Sequence, residues 1–204
     1  MEDKKLTEKE SLDLITRMIN VSKRNMEVGD GNVLLYWGYT TALLSILLFS
    51  LVWYTQNYVW SWGWMLLFVA WPVITYKQRG KERVVTYTDK TIKKVWQVFG
   101  YMFGLTFALI VLFGGIYRPE AFILMLPLSL LYCGLGVSIN GIILREKWMT
   151  YSPLVAFVFV IYMLMTLINN EHGTILWYLY LGFSFVLMMI IPGHILNHKA
   201  KKEC

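Results

Sequence analysis

The chain has 204 residues, of which 57% are hydrophobic and only 16% charged, and it carries a formal net charge of +6. It is far more apolar than a soluble domain of this length. The basic balance is unaccompanied by any nucleic-acid-binding motif, so nucleic acid is not an expected partner.

The first predicted element is an amphipathic helix. Thr7 and Glu10 form a capping box at its start. Leu12, Ile15, Met18, Ile19, Ser22 and Met26 then return to one face at helical spacing, and Asp13, Arg17, Asn20, Lys23 and Arg24 occupy the other. The turn Gly29-Asp30-Gly31-Asn32 ends it. A helix lying on lipid usually has a strongly basic polar face, whereas this one mixes both signs. Packing of Leu12, Ile15 and Ile19 against protein is therefore expected: the basic segment, another protomer or a soluble partner. The competing arrangement is flat on the cytoplasmic leaflet.

Six apolar runs follow, at residues 33–54, 58–76, 96–117, 121–143, 148–168 and 174–196, none with Asp, Glu, Lys or Arg in its middle. Each supplies the ~20 residues that a helix needs to cross a hydrocarbon core of about 30 Å. Trp37, Trp53, Trp60, Trp62, Trp96, Tyr117, Trp148 and Tyr151 lie near run ends, as rings of an interfacial belt do. The connections 55–57, 118–120 and 169–173 are short, which makes the helices they join antiparallel neighbours. The expected fold is all-α: a polytopic membrane bundle of six transmembrane helices in three hairpins. A cytoplasmic N-terminal region (1–32) precedes it and a short tail (197–204) follows. Without an apolar leader before residue 33, the first run is expected to act as an uncleaved signal anchor.

Charge sets the expected threading. Segments 1–32, 77–95, the turn around Arg145 and Lys147, and the C-terminal tail hold eighteen Lys and Arg; the three short loops on the other side hold one, Arg118. Basic residues are retained on the cytoplasmic side, so both termini are expected there. Lys77, Arg79, Lys81 and Arg83 of the basic segment are then placed to meet anionic lipid heads or a partner.

Within the runs the polar groups are small. Gly38, Ala42 and Ser45 form a stripe on the first, Gly100 and Gly104 a GxxxG pair on the third, and Gly134, Ser138 and Gly141 a stripe on the fourth. Small residues let helix backbones approach where lipid offers no hydrophobic drive, so these positions are expected to pack the bundle, with Gly100 and Gly104 alternatively forming a dimer face. Pro127 is expected to bend its helix, and Asn140 to join helices by hydrogen bonding. Residues 140–147 and 192–199 share Gly, Ile, Leu and Lys at matching places, and Trp37-Gly38-Tyr39 resembles Phe99-Gly100-Tyr101. A repeated hairpin would produce this pattern, and so would helix ends that meet the same interface.

Few residues carry chemistry. His194 and His198 share a helix face and could together hold a metal, but no further ligand stands at suitable spacing, so neither a metal nor a cofactor is expected. Cys133 and Cys204 are too differently placed for a disulfide. The runs contain no GxSxG, HExxH or P-loop, and no catalytic residue is expected.

Leu6 to Leu12, Met18-Ile19, Gly31-Asn32 and Leu35-Tyr36-Trp37-Gly38-Tyr39 together resemble a family of small six-span bacterial inner-membrane proteins with no assigned function. In plan such proteins are similar to membrane partners encoded beside small winged-helix regulators. The resemblance implies a bacterial inner-membrane location and supplies no catalytic or binding residues. The function expected is non-enzymatic, structural or regulatory, with a partner or a second copy bound at the cytoplasmic face. The alternative is a small transporter or channel for an uncharged or lipophilic solute.

Overall fold

Where water is absent, a long apolar run must satisfy its own backbone hydrogen bonds, and the helix is the structure that does so within one segment. The structure, a computed structural model, describes residues 7, 12–13, 31–78, 87–115, 119–169 and 174–203. Among these residues all regular elements are helical and no strand occurs. In chain order they are α1 (Gly31–Thr55), a 3-10 segment (Tyr58–Met65), α2 (Leu66–Gln78) and α3 (Tyr87–Ile110), which ends in a π turn (Val111–Gly115). A second 3-10 segment (Pro119–Leu124) leads into α4 (Met125–Leu144), α5 (Lys147–Tyr151) and α6 (Pro153–Ile168). The last stretch is α7 (Leu176–Phe185), a π turn (Val186–Ile190) and α8 (Ile191–Glu203). Five stretches of the described residues are long and apolar enough to cross a membrane: Asn32–Thr55, Tyr87–Phe113, Ala121–Leu144, Lys147–Ile168 and Leu176–Lys199.

The second apolar run departs from a plain helix. Asn57 caps its start by accepting from the Val59 N–H at 2.9 Å, and winding through Tyr58–Met65 is 3-10. Three residues per turn align every third side chain. Ser61 and Trp64 thus share a row and meet Tyr178 of α7, while Val59, Trp62 and Met65 form an exposed row. Gly63 lies on Leu48 of α1, where a Cβ would collide with the leucine side chain.

Three boundaries differ from the sequence expectation. α3 begins at Tyr87, so Lys90, Lys93 and Lys94 stand on its first turns and not in a loop. The final helix continues to Glu203, so most of the expected tail is helical. Pro127 falls in the first turn of α4, just after the 3-10 segment. A proline there removes no intrahelical bond, so it starts the helix and does not bend its middle.

Close packing concentrates on pairs other than the three expected hairpins. The most extensive contacts join the first helix to the last stretch, and α4 to α5 and α6. At Gly38 an added Cβ would lie 2.8 Å from Ile190 Cγ1 and 3.1 Å from Met189 Cβ; at Gly182 it would lie 2.6 Å from Ser45 Oγ. At Gly141 it would press on the Thr150 backbone and stand 2.6 Å from Thr150 Oγ1, and at Gly134 it would meet Pro153 in ordinary contact at 3.6 Å. Leu130, Val137, Met149, Val160, Leu181 and Met188 fill the core between these pairs.

The third helix is peripheral. No residue of α3 is buried, and an added Cβ at Gly100 or Gly104 meets nothing within 4 Å. The packing expected of these two glycines is not made within the chain, because the side of α3 that meets α4 carries Trp96, Phe99, Phe103 and Thr106 instead.

This contrast gives a direct expectation. Gly141→Ala, which forces a methyl group into the backbone of the next helix, should lower stability by about 1–3 kcal/mol, the usual cost of overpacking. Gly100→Ala and Gly104→Ala should be neutral or slightly stabilising, since each adds helix propensity at an open position. Thermal unfolding of the three variants in detergent checks this, and equal losses at positions 100 and 141 would contradict it.

Candidate functional site

Three side-chain links gather at one end of the bundle, where α1 starts, α4 ends and α8 ends. The Tyr39 hydroxyl and His194 Nε2 are 2.8 Å apart, with the two rings edge to face. Asn197 Nδ2 donates to Asn32 Oδ1 at 2.8 Å. Lys199 Nζ donates to Glu146 Oε2 at 2.5 Å, and the Glu146 side chain is only 10% exposed against 44% for the lysine.

The turn that carries Glu146 is built by two backbone bonds. Arg145 adopts φ 58, in the left-handed region, and its N–H reaches the Ile142 carbonyl at 3.2 Å. The Glu146 N–H donates to the Gly141 carbonyl at 2.8 Å, closing α4. Glu146 itself is extended and opens α5, its carbonyl accepting from both the N–H and the hydroxyl of Thr150. Its carboxylate therefore turns inward, toward α8. A buried carboxylate left unpaired would be costly, and Lys199 meets that need.

The same end collects the cations. Eight of the nine Lys and Arg among the described residues lie here: Lys90, Lys93 and Lys94 on α3, Arg145 and Lys147 at the turn, and Lys199, Lys201 and Lys202 on α8. The packing of Trp96 and Phe99 against Gly136 places the start of α3 beside the end of α4, which completes the arrangement.

A second junction forms at the opposite end around Tyr178. Its hydroxyl is 2.6 Å from Ser61 Oγ, its ring lies 6.0 Å from that of Trp64, and its carbonyl accepts from the Ser45 hydroxyl. Three stretches of chain meet at this one residue. Exposed Trp53, Tyr54, Tyr58, Trp60 and Trp62 surround the same end.

Asn140 stands apart from both junctions. It is 3% exposed, and its carboxamide oxygen has no hydrogen-bond partner among the described residues. The interhelical bond expected of it is not made. The indole N–H groups of Trp64 and Trp177 and the Ser152 hydroxyl are similarly buried and unpartnered.

Of the expected contact residues, Leu12 is exposed and Lys77 closes α2. Ile15, Ile19, Arg79, Lys81 and Arg83 lie outside the described residues. His194 is engaged by Tyr39, and no group of three or more His, Cys, Asp or Glu that could hold a metal occurs among the described residues. Sequence reasoning passed over Glu146 and Tyr178. A lone acid between two cations in a short turn was the available signal for Glu146. Tyr178 carried none, since it reads as one more interfacial aromatic. No family model, curated protein or solved structure matches the chain.

Removing Lys199 tests the inward carboxylate. Lys199→Met should destabilise the protein by about 1.5–3 kcal/mol, the range for hydrogen bonds to charged groups, because Glu146 is left buried and alone. The double variant Lys199→Met/Glu146→Gln should recover part of that loss. Thermal unfolding of the four-member cycle measures the coupling, and additive losses would contradict the link.

Proposed function

We propose that this chain is a non-enzymatic integral protein of the bacterial inner membrane, with six crossings and both termini in the cytoplasm. Its role is structural or regulatory, and it binds a protein partner or a second copy at its cytoplasmic face, through the N-terminal helix and the basic segment 77–95. The single observation carrying this reading is the gathering of eight of the nine described Lys and Arg at one end of five apolar helices. In a bilayer that asymmetry is the retention signal for the cytoplasmic side. The aromatic residues at the far end then fall at the opposite headgroup layer.

Length supports the sixth crossing. Eight residues of 3-10 helix at ~2.0 Å each and thirteen of α-helix at ~1.5 Å each reach about 35 Å, against a core of about 30 Å. The family resemblance read from residues 6–39 would imply the same compartment.

The transporter reading draws on one observation, the buried and unpartnered Asn140. Intramembrane polar groups often mark a solute path, and a carboxamide oxygen accepts from a hydroxyl or amide of an uncharged solute.

With Cys133 replaced by alanine, cysteines introduced at Gln56, Pro119 and Glu171 should label from outside intact cells, whereas one introduced at Val85 and the native Cys204 should not. Outside labelling at 85 or 204 would overturn the threading. In the same strain, a partner that co-purifies with the full chain should be lost from Ile15→Asp/Ile19→Asp while the spans still insert. Retention of every bound protein by that variant would contradict the docking role of the helix.

A further inference from the structure

The turn between α4 and α5 breaks two local rules in three residues. Helices commonly end with glycine where the backbone turns left-handed, yet Arg145 holds φ 58 there. Helix starts favour acids over cations because of the macrodipole, yet Lys147 is the first residue of α5, and the N-cap acid Glu146 turns away without a side-chain cap bond. Both cations are exposed, and Trp148 and Tyr151 follow them with side chains 67% and 63% exposed. Between the cations, Glu146 is withdrawn and its charge answered by Lys199. The turn thus presents two positive charges beside two interfacial aromatics, with the intervening negative charge removed from the surface. Departures from local preference tend to mark functional or strained positions.

We propose that this turn is a docking site for the headgroup of an anionic phospholipid, with Arg145 and Lys147 contacting the phosphate. Arg145 supplies a planar fork suited to phosphate oxygens, and Lys147 a compact second charge. Trp148 and Tyr151 fit the glycerol and ester layer beneath the headgroup, which is where such rings reside. A small soluble anion would use the charges and leave the aromatics without a role, so the occupant is a lipid. The inference rests on the membrane reading above.

The test uses the full chain in nanodiscs of phosphatidylcholine alone and of phosphatidylcholine with phosphatidylglycerol, with retained lipid counted by native mass spectrometry. The wild type should retain phosphatidylglycerol preferentially. A basic side chain near an anionic surface is worth about fivefold in binding, so Arg145→Gly/Lys147→Gln should reduce that preference by about 25-fold. Arg145→Gly suits the left-handed backbone, so folding in phosphatidylcholine discs should be preserved. Lys201→Gln/Lys202→Gln, which removes the same charge from the end of α8, should keep the preference.

Equal retention of both lipids by the wild type would overturn the site, as would an undiminished preference in the turn variant. A comparable loss in the α8 variant would also overturn it, by showing diffuse attraction only. Stabilisation by inorganic phosphate equal to that by phosphatidylglycerol would remove the lipid as occupant. Failure of the wild type to enter discs of either composition would instead refute the membrane reading on which the site rests.

Discussion

Everything else in this fold depends on how closely the first helix approaches the last stretch of chain. In the proposed membrane setting, apolar side chains would gain little by leaving lipid for one another, so the helices would cohere through dispersion at short range. Gly38, Ala42 and Ser45 present almost no side chain, and Gly182, Met189 and Ile190 are set against them. That approach brings Ser45 to the Tyr178 carbonyl, Tyr39 to His194 and Asn32 to Asn197. The last stretch is irregularly wound where this approach occurs. Pro192 has no N–H to donate, and the π turn just before it carries the Ile191 N–H to Val186. Gly38 packs on that turn, where any larger residue would strike Ile190.

A second tight pair, α4 with α5 and α6, completes the core. Glu146 and Lys199 tie its turn to the end of α8, so the two pairs are fixed to each other at the basic end. The third helix stays outside this arrangement. Its glycines face away from the protein and its contact with α4 rests on larger side chains such as Trp96 and Phe103.

The helical class and five of the six apolar helices were legible in the sequence, because an unbroken apolar run of that length is helical whatever packs around it. Which helices pack together was not. Short loops 55–57, 118–120 and 169–173 suggested three hairpins, whereas complementarity between small residues far apart in sequence selected the first helix with the last. A GxxxG pair reads the same whether it faces a helix or an open surface, so the sequence does not show that Gly100 and Gly104 are open while Gly182 lies against Ser45. The 3-10 winding of Tyr58–Met65 was also hidden, since apolar composition does not distinguish a period of three from 3.6. At the candidate site, the sequence alone presents Arg145 and Lys147 as topology signals. Only the left-handed backbone at 145 and the inward turn of Glu146 show that they flank a withdrawn acid.

The closest approach of the first and last helices is best tested by a cross-link. With Cys133 and Cys204 replaced by alanine, cysteines at Ser45 and Gly182 would have Cβ atoms 3.0 Å apart, tighter than the ~3.5–4.5 Å of disulfides, so a backbone shift of about 0.5 Å admits the bond and Ser45→Cys removes the hydroxyl that the new Cβ would strike. Oxidation in native membranes should join positions 45 and 182 within single chains, and a cysteine pair at 45 and 104 should stay reduced. Absence of the 45–182 cross-link under conditions that oxidise the 45–104 pair would contradict the packing from which the whole account is built.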